Sequence, residues 1–126
     1  MFVLLSVEHV IAIHDYVLDD HELQDMAGGR SLEGAIARVD NRLAYGLIED
    51  IFALGAAYAA AISQAHCFND GNKRTAFQVL DLVLDLNGVQ PEWDVEAVGK
   101  QIILLAQSNL DEQVFADWLR AQVNGE

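Results

Sequence analysis

The sequence predicts an all-α protein, a compact single domain of about six helices packed around two buried central ones. Three observations carry this. Apolar residues recur at helical spacing in segment after segment, and no stretch of any length alternates with period two. Starts and stops frame those segments: Ser6 and Asp94 where helices can begin, Asn87-Gly88 and then Pro91 where one must end. The two segments flanking residues 66–76 are apolar nearly all round, a pattern that belongs in the middle of a bundle.

Taken in order, Ser6 is placed to cap a first helix whose inner stripe is Val7, Val10, Ile11, Val17 and Leu18. His14 falls in that stripe and reads as a core histidine hydrogen-bonded to backbone. Residues 19–31 carry four acids in their first seven positions and end in Gly28-Gly29-Arg30-Ser31, the longest irregular stretch of the chain. Ser31 can cap a short second helix, residues 32 to about 39, with Leu32, Ala35, Ile36 and Val39 inward. Residues 41–50 read as a connection. From 51 to 65 there is no charge, and Ala53, Gly55, Ala56, Ala57, Ala59, Ala60 and Ala61 leave little bulk, so other helices can approach closely. The helix after the 66–76 stretch keeps one polar stripe, Arg74, Gln78, Asp81 and Asp85. Asp94 can cap a helix running through Ser108 on Val95, Val98, Ile102, Leu105 and Ala106. A last helix, about 110–122, should bury Leu110, Val114, Phe115, Trp118 and Leu119.

Composition bounds the function. The 126 residues are read as one domain, residues 1–126, long enough to bury a core, and a hydrophobic content of 52% excludes disorder. The lone Cys67 cannot form an intramolecular disulfide, which favours a reducing compartment. Residues 1–5 lack a basic n-region, and the run at 51–65 is shorter than the roughly 18–20 residues a spanning helix needs. The expectation is a soluble cytoplasmic protein. A net charge of −13 argues against nucleic acid or an anionic membrane as direct partner. Against it, Lys73 and Arg74, two of only seven cations, make a local site for a small anion such as phosphate.

Residues 66–76, His-Cys-Phe-Asn-Asp-Gly-Asn-Lys-Arg-Thr-Ala, wedge that polarity between two buried helices, which is costly unless it does chemistry or binds a charge. Either Asn69 or Asp70 can cap the helix that begins near Gly71 or Asn72. A helix N-terminus offers backbone N–H groups and a positive dipole end to an anion. Gly71 lets backbone approach a ligand and take positive φ, while Asn72, Lys73 and Arg74 follow in the first turn, the last two as phosphate donors. Asp70 would repel phosphate unless a Mg²⁺ ion bridged them, and His66 suits a general base. Together these residue types describe phosphoryl or nucleotidyl transfer. Read singly, they have plainer roles: His66 and Asp70 a structural hydrogen bond, Asp70 a cap, Lys73 and Arg74 a solvated turn, Phe68 a core anchor, Cys67 an inert thiol. A zinc site is disfavoured because no further ligand lies at metal spacing.

His66-Cys67-Phe68-Asn69-Asp70-Gly71-Asn72-Lys73-Arg74 resembles the Fic-family signature, HxFx(D/E)GN followed by a small or basic residue and Arg. It is most similar to the Doc ("death on curing") branch, the toxins of Phd/Doc-type toxin–antitoxin pairs. Gly29-Arg30, Leu32-Glu33, the stretch from Ala35 through Arg38, Asp50-Ile51-Phe52, Ala56-Ala57-Tyr58 and Trp118-Leu119 extend the likeness over nearly the whole chain. The resemblance implies the helical Fic fold, with His66 deprotonating a target hydroxyl, Asp70 holding Mg²⁺, and Asn72, Lys73, Arg74 and loop amides holding ATP phosphates. Two departures bear on the reaction: the AMP-transferring majority has Gly at the position of Lys73 and a second Arg at that of Phe77. That Arg clamps the terminal phosphate. Without it, the resemblance to the Doc branch implies an inverted nucleotide, γ-phosphate toward His66, and phosphorylation of a threonine of translation elongation factor Tu.

The competing readings are an AMP transferase and a non-catalytic nucleotide- or peptide-binding module, the latter disfavoured by intact His66 and Asp70. By the same resemblance, residues 19–31 would line up the target segment, and an antitoxin (Phd-like) helical segment would silence the site by folding into a groove. The spacing Ser108 to Glu112 meets part of the family's self-inhibitory motif, but Gln113 follows instead of Gly or Asn. It is read as accidental, with Asn109 and Asp111 as ordinary caps.

Overall fold

The computed structural model describes residues 2–18, 32–65 and 71–124, and among them it is all-helical. The order is α1 (Val7–Val17), α2 (Leu32–Ala44), α3 (Ile51–Ala65), α4 (Asn72–Leu86), α5 (Val95–Ala106) and α6 (Glu112–Asn124). The compact all-α class that the periodicity predicts is what forms. None of these helices is long and apolar enough to cross a membrane.

Helix α3 is the axis. Its small side chains let α2, α4, α5 and α6 all pack on it, and Leu54 through Ala60 are buried without interruption. A close approach is at Gly55, where a Cβ would stand 2.7 Å from Leu80 Cδ1 of α4. Helix α4 brings Ala76, Val79, Leu80, Val83 and Leu84 to that seam and turns its polar stripe outward. Tyr58 is the one large aromatic residue among the fully buried positions of α3. Its hydroxyl donates to Asp40 Oδ1 of α2 at 2.8 Å. Burial first, and then that bond to a carboxylate, push the phenol's pKa well above its usual range, while the Leu5 N–H donates to the same oxygen.

The ends are tied down by side chains that satisfy backbone. Ser6 caps α1 reciprocally with His9, its Oγ accepting from the His9 N–H at 3.2 Å while His9 Nδ1 accepts from the Ser6 N–H. The Asn87 carboxamide, at the end of α4, takes the Val3 N–H at 2.6 Å and donates to the Val3 carbonyl at 2.9 Å, so the extended N-terminal strap is held as if by a neighbouring strand. Helix α6 is fixed at two points. Glu112 receives both Nη atoms of Arg42, and Arg120 meets Asp50 through Nε at 2.7 Å and Nη2 at 3.0 Å.

Four boundaries and two faces differ from the sequence reading. Helix α2 runs on to Ala44, through residues read as a connection, because Asp40 and Arg42 have tertiary partners and the stop is Gly46, at φ +74°. Helix α5 ends at Ala106 rather than Ser108, which takes φ +59°. Helix α6 starts at Glu112 rather than near 110, after Asp111 Oδ1 accepts from the Gln113 N–H at 2.7 Å, and it runs two residues past the expected end at 122. Val95 and Val114, expected inside, are 65% and 54% exposed. The inner face of α6 is Phe115, Ala116 and Leu119, with Trp118 stacked on Phe115 at 6.3 Å between ring centroids. The caps expected from Ser31 and the stretch 19–31 lie outside the described residues.

Asp50 gives a pH test of the α3–α6 tie. Burial works to raise its pKa, but the Arg120 hydrogen bonds and the N–H groups of Ala53 and Phe52 outweigh that, and the carboxyl is held below its usual value. A depressed folded pKa stabilises above the unfolded value and is lost as pH falls through the folded one, here below about pH 4. Asp50→Asn should therefore cost about 1 kcal/mol at pH 7, a modest figure because the carboxylate is 35% exposed. Urea titrations at pH 7 and pH 3 check it. The difference from wild type should shrink at pH 3, and a difference of equal size at both would refute the charge assignment.

Candidate active site

The first turn of α4 carries the described half of the 66–76 stretch. Gly71 is the N-cap residue, with φ +80° and ψ +14°. This corrects the expectation that Asn69 or Asp70 would cap: a left-handed glycine turns the chain into the helix, and it brings no side chain to the first-turn N–H groups. The Thr75 N–H closes the turn on the Gly71 carbonyl at 2.9 Å. The helix thus presents its positive end beside Asn72, Lys73 and Arg74, the arrangement that holds phosphate.

The last turn of α1 is the platform under this turn. A Cβ at Gly71 would lie 3.1 Å from Leu18 Cδ2 and 3.4 Å from His14 Cδ2, a tight fit that, with φ at +80°, favours glycine where the two segments meet. Arg74 Nη1 donates to the Val17 carbonyl at 3.0 Å, which aims the guanidinium. His14 is fully buried, as the sequence suggested, but its ring lies against the motif glycine and its Nδ1 is 3.4 Å from Asp15 Oδ1. Sequence reasoning gave α1 no role at the site. The only signal was a histidine on an apolar stripe.

Lys73 and Arg74 are exposed and open onto a cleft of about 650 Å³ between α4 and α5. Phe77 and Gln78 continue its α4 wall, and Val95, Gly99, Lys100 and Ile103 form much of the other. Among the described residues neither Lys73 nor Lys100 sits in an ion pair. Glu112, the acid that the self-inhibition spacing singled out, is bound to Arg42 rather than Arg74.

His66 and Asp70, with Cys67, Phe68 and Asn69, lie outside the described residues. Of the predicted site, the structure therefore brings together Gly71, Asn72, Lys73 and Arg74. No group of three metal-ligating side chains occurs among the described residues.

The family model for the Fic/DOC family matches residues 4–84 of the chain. The chain is also 36% identical over 117 residues to the protein kinase doc of Escherichia phage P1, with 92% of each sequence covered. It belongs to the Fic/DOC family.

Within a Fic/DOC protein, the described turn fits a nucleotide's phosphates on its own chemistry. A left-handed glycine cap, a helix dipole and adjacent Lys73 and Arg74 form a cationic cradle on a chain of net charge −13. Position 77, where AMP-transferring Fic proteins carry a second arginine, holds a phenylalanine half-buried in the cleft wall. Lys73 and Arg74 stand on this cleft, and an aromatic ring lies a turn further along α4.

Proposed function

We propose that this Fic/DOC protein is the toxin of a toxin–antitoxin pair that transfers the γ-phosphate of ATP to a threonine hydroxyl of translation elongation factor Tu, halting protein synthesis. The observation that carries the kinase reading is Phe77 in the cleft wall beside Arg74, where AMP transferases clamp the terminal phosphate. The name of the phage P1 relative, protein kinase doc, supports it.

In this reading His66 takes the proton of the target hydroxyl as its oxygen attacks the γ-phosphorus. The bond between that phosphorus and the bridging oxygen of the β-phosphate breaks, and ADP leaves with the bond's electrons. Asn72, Lys73, Arg74 and the amides at Gly71 hold the phosphates in line and offset their charge. Mg²⁺, held by Asp70 and phosphate oxygens, would supply further charge neutralisation. The partner that silences the site is an antitoxin segment folding as an amphipathic helix over its flank. The −13 charge favours basic residues on that segment.

Label transfer tests the reaction. With purified elongation factor Tu, γ-labelled ATP should leave its label on the target and α-labelled ATP should not. The reverse result would make the protein an AMP transferase. Expression of the chain alone should arrest growth, and co-expression with an adjacent antitoxin gene should restore it.

A further inference from the structure

Asparagine followed by glycine is the pairing that loses its side-chain amide most readily in water, because no Cβ on the second residue shields its backbone nitrogen from the asparagine Cγ. Asn87-Gly88 is such a pair, and it closes α4. There the carboxamide is fully engaged. Its Oδ1 accepts from the Val3 N–H at 2.6 Å, and its Nδ2 donates to the Val3 carbonyl at 2.9 Å and to the Val83 carbonyl at 2.7 Å. The nitrogen that would attack it is engaged too, the Gly88 N–H donating to the Asp85 carbonyl at 3.1 Å. Gly88 itself is exposed, so water reaches the pair.

Two of the three carboxamide bonds go to the extended N-terminal strap, and only the one to Val83 stays within α4. Further along, the strap is held by Leu5, whose side chain is buried in the core and whose N–H donates to the Tyr58 oxygen. Val3 and Leu4 lie outward, 49% and 38% exposed, and bury little surface to hold the outer strap down. That part rests largely on Asn87. Local opening of such a segment takes far less free energy than unfolding the whole chain.

We infer that Asn87 is a site of spontaneous deamidation gated by this strap, latent while Val3 is seated and reactive once it lifts. With the strap away, Oδ1 has lost the Val3 donor and Nδ2 keeps only the Val83 carbonyl, so the carboxamide can turn toward Gly88. Hydroxide takes the Gly88 N–H proton, the nitrogen forms a bond to Cγ, and Nδ2 leaves as ammonia after taking a proton from water. Water then opens the cyclic imide at one of its two carbonyl carbons, giving aspartate or isoaspartate. Either product carries a carboxylate that accepts and cannot donate, so the Val3 and Val83 carbonyls have no hydrogen to meet. Its charge also faces the negative end of the α4 dipole. The latch cannot re-form, and a passing opening of the strap becomes permanent.

Ageing of the full chain in mildly alkaline buffer tests this, read by peptide mapping in a mass spectrometer with enzymatic methylation of isoaspartate. The chain held unfolded in urea should convert at Asn87, while folded wild type keeps its amide. Val3→Pro removes the N–H that Oδ1 accepts and should raise the folded-state rate by about three- to tenfold, the shift that losing one hydrogen bond brings. Equal rates in folded wild type and folded Val3→Pro would overturn the gating, and an amide that survives even in the unfolded chain would remove the site. Should Val3→Pro not fold, wild type decides in sub-denaturing urea. Conversion through strap opening exposes little surface and should depend only weakly on urea, whereas conversion that climbs with the full urea dependence of global unfolding would overturn the gating. Asn87→Asp, one of the two products made directly, should exchange the Leu5 N–H faster than wild type. Unchanged exchange there would show that the latch survives the modification and overturn its permanence.

Discussion

His66→Ala should lower phosphoryl transfer by about 10²–10⁴-fold, the range for loss of a positioned general base. Thermal unfolding should stay within a degree or two of wild type, so that a lost rate is read as lost chemistry and not as a lost fold. The proton of a threonine hydroxyl must leave as its oxygen attacks, and an imidazole is the side chain type best suited to take it near neutral pH. Transfer by His66→Ala at the original rate would remove His66 from the mechanism. Initial rates measured with γ-labelled ATP are the readout, with binding of ATP measured separately so that a lost ligand is not taken for a lost base.

The next largest effect is expected at Gly71. Its φ of +80° is a conformation that costs an ordinary side chain about 1–3 kcal/mol, most for a β-branched one. A Cβ would also press to 3.1 Å on Leu18. Gly71→Val should lose about that much stability and bind ATP more weakly, because the turn that aims the N–H groups must rearrange. Asn enters the left-handed region at low cost, so Gly71→Asn should recover most of the lost stability. Denaturant unfolding of both variants gives the comparison. Equal stability of the Val variant and wild type would show that the left-handed turn is not required.

Much of the fold was legible because it rests on local rules. Ser6, Asp94 and Asn87-Gly88 mark helix ends by chemistry that acts within a few residues, and the small residues of 51–65 announce close packing wherever their neighbours come from. The misreadings are tertiary. Residues 41–44 look like a connection until Arg42 meets Glu112, seventy positions away. Val95 looks like a core residue until the cleft takes that face of α5. The candidate site divides the same way. Gly71 through Arg74 could be read from one nine-residue motif, whereas His14, Val17, Leu18 and Gly99 reach it only through packing of α1 and α5 on α4. No spacing rule connects residue 14 with residue 71.

The Arg74 to Val17 hydrogen bond has a bearing on where the chain between α1 and α2 can tolerate change. Val17 and Leu18 are the last described residues before the 13-residue stretch 19–31, and Leu32, buried in α2, is the first after it. One foot of that span therefore stands on the first turn of α4 and the other in the hydrophobic interior. The footing at Val17 and Leu18 cannot move without disturbing Arg74 and Gly71, so substitutions there should be felt at the α4 turn.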